Sequence, residues 1–121
     1  MTDKLTVLIV DDDMDWRLLL RQRLIQSNCE TLQARNGEEG ESMAMDKQPD
    51  LVLLDIMMPI QDGYQTCKNL RDKGYTGRIV LMSAMKEDVG QQKATDCQAN
   101  GYLQKPIASQ TLKLHLDQLI S

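Results

Sequence analysis

Residues 51–63 read LVLLDIMMPIQDG, and this stretch decides the fold. Four apolar residues, Leu51-Val52-Leu53-Leu54, run without interruption into Asp55. Pro49-Asp50 bounds the run on one side and Pro59 on the other. A short unbroken apolar run between turn signals reads as a strand buried on both faces. Asp55 therefore stands where such a strand ends and the chain emerges toward water. Open α/β sheets bind ligands there, outside the carboxyl ends of their strands. At this point Asp55 has two readings: a cap for the following turn, or an acid that holds a metal ion or attacks an electrophile.

Working outward, the strand signal recurs. LTVLIV at residues 5–10 is a second buried run, and it leads directly into Asp11-Asp12-Asp13. Residues 29–34 alternate enough for a short strand, closed by the turn pair Asn36-Gly37. RIVLM at 78–82 is a buried strand ending at Ser83-Ala84, and GYLQ at 101–104 is a short one ending at Lys105-Pro106.

Helical stretches separate these strands. Residues 14–26 place Trp16, Leu19, Leu20 and Leu24 on one face, with Asp13 as a natural N-cap. Residues 38–47 form a polar helix anchored around Met43 and Ala44, and residues 62–73 form a third, with Leu70 inward and Gly74 just past its end. The last helix, 109–120, carries Leu112, Leu116, Leu119 and Ile120 on one face. The helix at 86–97 is the weakest, with few apolar residues and Gly90 in its interior. Glycine costs a helix about 1 kcal/mol against alanine. This helix is expected to exchange its amide hydrogens fastest, and Gly90→Ala is expected to slow that exchange.

Strand and helix thus alternate five times with no long linker. The pattern predicts an α/β fold: a doubly wound, flavodoxin-like sheet of five parallel strands in the order 2-1-3-4-5, with helices on both faces. At 121 residues the chain is expected to form a single domain, residues 1–121. The predicted order sets Asp11, Asp12 and Asp55 side by side at one edge. Ser83 and Lys105 end the next two strands and converge on the same spot.

Composition narrows the function classes. A net charge of −4 argues against a general nucleic-acid or anionic-membrane surface. No apolar run approaches membrane-span length and the N-terminus lacks a signal-peptide core, so a cytoplasmic location is expected. Cys29, Cys67 and Cys97 are widely spaced and His115 is the one histidine, which removes zinc and redox-motif readings. The thiols read as small core residues.

Three crowded carboxylates repel one another, and their pKa values rise unless a cation relieves them. A hard divalent ion with oxygen ligands provides that relief, and Mg²⁺ suits one or two carboxylates plus waters and a phosphate oxygen. Lys105 can pair with a phosphoryl oxygen and Ser83 can donate a hydrogen bond to another. Phosphoryl transfer demands chiefly position and charge neutralisation. Asp55 is then the nucleophile, forming an acyl phosphate. Two other classes share parts of this set. A Mg²⁺-dependent phosphatase with an aspartyl nucleophile commonly has a second acid two residues further on, where this chain has Met57. A flavodoxin-like cofactor module needs a first loop that attracts phosphate, whereas Asp11-Asp12-Asp13 repels one.

VDDD at 10–13, LLDIMMPIQDG at 53–63, MSA at 82–84 and GYLQKP at 101–106 together resemble bacterial response-regulator receiver domains. The resemblance covers essentially the whole chain, in order and at family spacing. It implies that Asp55 accepts a phosphoryl group from a histidine kinase or histidine phosphotransfer protein. It implies Mg²⁺ ligation by Asp12, Asp55 and the Met57 backbone carbonyl, with Asp11 acting mostly through water. Ser83 would be the hydroxyl that follows the phosphoryl group, and Tyr102 the aromatic that swings inward with it. Lys105-Pro106 would carry a cis peptide bond, which is accessible because it precedes proline. The switched surface would be the fourth helix, fifth strand and fifth helix, read by a downstream effector or a fused output domain. The implied protein is a signalling switch rather than an enzyme, limited to self-phosphorylation and slow autodephosphorylation, with no direct nucleic-acid or membrane binding.

Neighbouring residues have plainer readings. Asp13 is a helix cap, Asp15 a solvated first-turn acid, Trp16 a core residue and His115 a surface or half-buried one. Asp62-Gly63 starts the third helix. Met57 and Met85 flank the phosphoryl site with apolar side chains that cannot orient an attacking water, so a long-lived acyl phosphate is expected.

Overall fold

The computed structural model describes residues 4–120. Along the chain lie β1 (Thr6–Val10), α1 (Met14–Gln26), β2 (Glu30–Ala34), α2 (Gly37–Lys47) and β3 (Leu51–Asp55). They are followed by α3 (Gly63–Asp72), β4 (Arg78–Ser83), α4 (Glu87–Asp96), β5 (Gly101–Gln104) and α5 (Ser109–Ile120). The five strands are parallel and stand in the order β2-β1-β3-β4-β5, as the alternation predicts.

Successive side chains of a strand point to opposite faces, so the buried runs feed two core layers. Leu8, Val10, Val52, Leu54, Ile79 and Leu81 pack with Ala44 of α2, Leu70 of α3 and Ala94 of α4. Val7, Ile9, Leu51, Leu53, Val80 and Met82 pack on the other face with Leu20 and Leu24 of α1 and Leu112 and Leu116 of α5. All three cysteines are buried and free. No helix among the described residues is long and apolar enough to cross a membrane.

Local chemistry fixes the helix starts. Asp13 Oδ1 accepts from Asp15 N and Trp16 N at 3.0 and 3.3 Å. Asn36 Oδ1 accepts from Glu39 N at 2.8 Å and Asp62 Oδ1 from Gln65 N at 2.8 Å. These bonds satisfy amides that have no partner inside the helix. Asp62 is therefore the cap of α3 rather than its first residue.

Two expectations need correction, and one lies outside the described side chains. The inward face of α1 is Arg17, Leu20 and Leu24, whereas Leu19 is exposed. Leu119 and Ile120, expected on the apolar face of α5, lie outside the described side chains. Gly90 is not a simple defect in α4. It is buried, and a Cβ there would sit 2.2 Å from Cε2 of Tyr102. The missing side chain is what allows α4 to lie on the Tyr102 ring. Gln98, just past α4, holds φ at 65°, in the left-handed region that suits glycine.

Candidate functional site

β1 and β3 are adjacent, with Val10 opposite Leu54, so the residues after Val10 and Leu54 emerge together. Asp55 is 4% exposed and Asp11 fully buried, whereas Asp12 is exposed. Single carboxylate oxygens of the three lie within 4.8 Å of one another. The backbone beneath Asp55 is fixed on both sides. Ile56 N donates to Met82 O at 2.9 Å and Gly63 N to Ile56 O at 3.0 Å. A Cβ on Gly63 would stand 2.1 Å from Asp55 O, so this return of the chain requires glycine.

Lys105 completes the cluster. Its Nζ donates to Asp11 Oδ2 at 2.8 Å and lies 3.7 Å from Asp55 Oδ1. Its own N–H donates to Ser83 O at 2.7 Å, which fixes the end of β5 against the end of β4. The Lys105–Pro106 bond is cis. Ser83 is buried, and its Oγ accepts from Met85 N at 3.3 Å. Met57 N donates to Asp55 Oδ1 at 3.2 Å, while the Met57 side chain is exposed. The Asp55 carboxyl is pushed up to about 6, first by burial and then by the negative charge of Asp11, against the opposing pull of Lys105. Three close carboxylates, one of them held above its ordinary range, make a donor set of hard oxygens that can hold a metal ion.

Tyr102 lies inward. It is buried, and its hydroxyl donates to Met85 O at 2.6 Å and lies 2.9 Å from Ser83 O. The ring thus spans from β5 to the β4–α4 loop and supports α4 at Gly90.

Asp11, Asp12, Asp55 and Lys105 meet at one edge, and Ser83 ends the adjacent strand β4 beside Lys105. Two neighbours were missed. Arg17 is buried, and its Nη1 donates to Asp11 O at 2.6 Å while Nε donates to Gln33 Oε1 at 3.1 Å. It braces the backbone of the acidic loop. Trp16, read chiefly as a core residue with partner binding as the alternative, places its ring centroid 5.0 Å from Lys105 Nζ. Apolar periodicity carries no signal for either contact.

The strand order, with an acid cluster and a lysine at its switch point, defines a doubly wound α/β protein of CheY-like fold. The chain belongs to the response regulator receiver domain family, whose model matches residues 7–117. It is 31% identical over 119 residues to the transcriptional regulatory protein ResD of Bacillus subtilis, covering 98% of this chain and 49% of that protein. It is 34% identical over 100 residues to the chemotaxis protein CheY of Halobacterium salinarum, covering 83% of each. Among solved structures it resembles a response regulator described as putative from Chloroflexus aurantiacus, with a TM-score of 0.90, 29% identity and coverage of 97% and 98% of the two chains. The chain spans about half the length of the first curated relatives it matches, including ResD.

Proposed function

We propose that residues 1–121 act as a single phosphoacceptor receiver domain, a cytoplasmic signalling switch in which Asp55 takes a phosphoryl group from a histidine kinase or histidine phosphotransfer protein. The observation that carries this reading is the position of Lys105 Nζ between Asp11 and Asp55 at the end of the two central strands. An oxygen of Asp55 attacks phosphorus, the bond from phosphorus to the donor nitrogen breaks, and an acyl phosphate forms. Lys105 turns its ammonium to a phosphoryl oxygen, and Ser83 Oγ donates to another. Asp11, Asp12, Asp55 and the Met57 carbonyl would hold Mg²⁺, which when bound neutralises the charge of the incoming phosphoryl group. Ser83, once engaged, changes the setting of Tyr102 and so the surface of α4, β5 and α5, which a downstream effector or a fused output domain would read. The protein's chemistry is limited to self-phosphorylation and slow autodephosphorylation.

Incubation with Mg²⁺ and acetyl phosphate should add the mass of one phosphoryl group, and Asp55→Asn should abolish the gain. Undiminished labelling of Asp55→Asn would sink the assignment. The acyl phosphate should also be long-lived, because Met57 and Met85 offer no hydrogen bond to an attacking water. The double substitution Met57→Asn with Met85→Glu should hasten decay in Mg²⁺, measured by loss of that mass increment.

A further inference from the structure

We propose that Trp16 is a positioning residue for Lys105, its indole face holding the ammonium at the site when the surrounding carboxylates are otherwise engaged. The role rests on the reading of Asp55 as phosphoacceptor. Among the described residues Lys105 Nζ makes three charge or ring contacts: Asp11 Oδ2 at 2.8 Å, Asp55 Oδ1 at 3.7 Å and the Trp16 ring centroid at 5.0 Å. The first two belong to carboxylates that a bound cation also draws on. A cation among those oxygens offsets their negative charge and weakens their hold on the ammonium. Phosphorylation of Asp55 consumes one of them outright. The ring contact survives both events, since an aromatic face attracts an ammonium through its quadrupole and carries no charge to be neutralised. It is the one of the three contacts that keeps its strength at the moment Lys105 must face a phosphoryl oxygen.

Packing alone does not account for an indole at this position. Trp16 is half-buried against the core layer that holds α1 and α5. Its Nε1 is buried and has no hydrogen-bond acceptor among the described residues. A buried donor without a partner is costly, and leucine or methionine would fill the same place without one. What the indole adds is its face, and that face lies on Lys105.

The chain has one tryptophan, so tryptophan emission reports on the surroundings of this one ring, Lys105 Nζ among them. In metal-free, unphosphorylated protein, Lys105→Met should shift the Trp16 emission. Rates of phosphorylation by acetyl phosphate at saturating Mg²⁺ then test the role. Trp16→Leu should be about five-fold slower than wild type, and Trp16→Phe, which keeps a ring, within about two-fold of it. On a Lys105→Ala background Trp16→Leu should change the residual rate no further, since both act through one group. An unshifted emission, a wild-type rate in Trp16→Leu, or an undiminished effect on the Lys105→Ala background would each overturn the proposal. If Trp16→Leu does not fold, the emission shift and Trp16→Met, which fills the place without a ring, on the two backgrounds decide the matter. A wild-type protein that takes no phosphoryl group would overturn the reading of Asp55 and this role with it, a result distinct from a labelled wild type that Trp16→Leu matches.

Discussion

Asp55 is both the centre of the site and a source of instability. Its carboxyl sits near 6 in the fold, against an ordinary value of 3.8, because burial and Asp11 disfavour its charge. The folded chain therefore holds this proton more tightly than the unfolded chain. The resulting contribution to stability is fully present below about pH 4 and is lost as pH rises through about 6. Above that, a charged Asp55 costs the fold about 1–3 kcal/mol. Asp55→Asn keeps the shape and removes the charge. In metal-free buffer it should stabilise the protein by about that amount at pH 7.5 and be nearly neutral at pH 4. Denaturant titrations at the two pH values check this, and an equal effect at both would refute it. The acids, Ser83 and Lys105 were legible in the sequence because each directly follows, or ends, an apolar strand run. Arg17 and Trp16 were not, because their contacts depend on how far a long side chain reaches. Helical periodicity gives the direction of a side chain and not its reach, and a buried guanidinium breaks the apolar pattern that marks an inward face.

Among the elements, α4 has few apolar anchors of its own. Lys86 at its N-cap makes no side-chain capping bond, and Gly90 and Ala94 are its buried residues. Val89, its one large apolar residue, is exposed. Elements with few buried apolar contacts open at low free-energy cost. The strands and helices themselves were legible because buried apolar runs and turn residues alternate without ambiguity. The role of Gly90 was not, because helix propensity is local and the Tyr102 ring that fills its place comes from β5. Alanine would gain about 1 kcal/mol in helix propensity. Its Cβ would meet the Tyr102 ring, and overpacking of that kind costs about 1–3 kcal/mol. Gly90→Ala should therefore speed amide exchange over residues 87–96, the reverse of what propensity alone predicts. Hydrogen exchange read by mass spectrometry decides between the two. Beryllofluoride with Mg²⁺, standing in for a phosphoryl group, should slow exchange in the same residues of the wild type. Exchange in α4 that ignores both changes would detach this helix from the site.

At the scale of the whole molecule, the acid cluster sits where both core layers end. Asp11 follows β1 and Asp55 ends β3, the neighbouring strands that contribute to each layer. Repulsion among Asp11, Asp12 and Asp55 thus opposes the pairing of the two strands on which the domain is built. A divalent ion that binds these oxygens only when the strands are paired should raise the stability of the whole fold, not of one loop. At a concentration about 100 times its dissociation constant, the gain is about 2.7 kcal/mol. For a domain of this size that is a rise of about 5–15 °C in the unfolding midpoint. Asp12→Ala should remove most of the rise, since it takes away a ligand oxygen whose neighbours are two buried acids. Lys105→Ala should keep the rise or enlarge it, because the ammonium on Asp11 competes with the ion for the same charge. Calorimetric scans with and without Mg²⁺ on the three proteins separate these cases. A midpoint indifferent to Mg²⁺ in the wild type, or a rise that survives Asp12→Ala and disappears in Lys105→Ala, would mean that charge repulsion in this cluster does not govern metal binding.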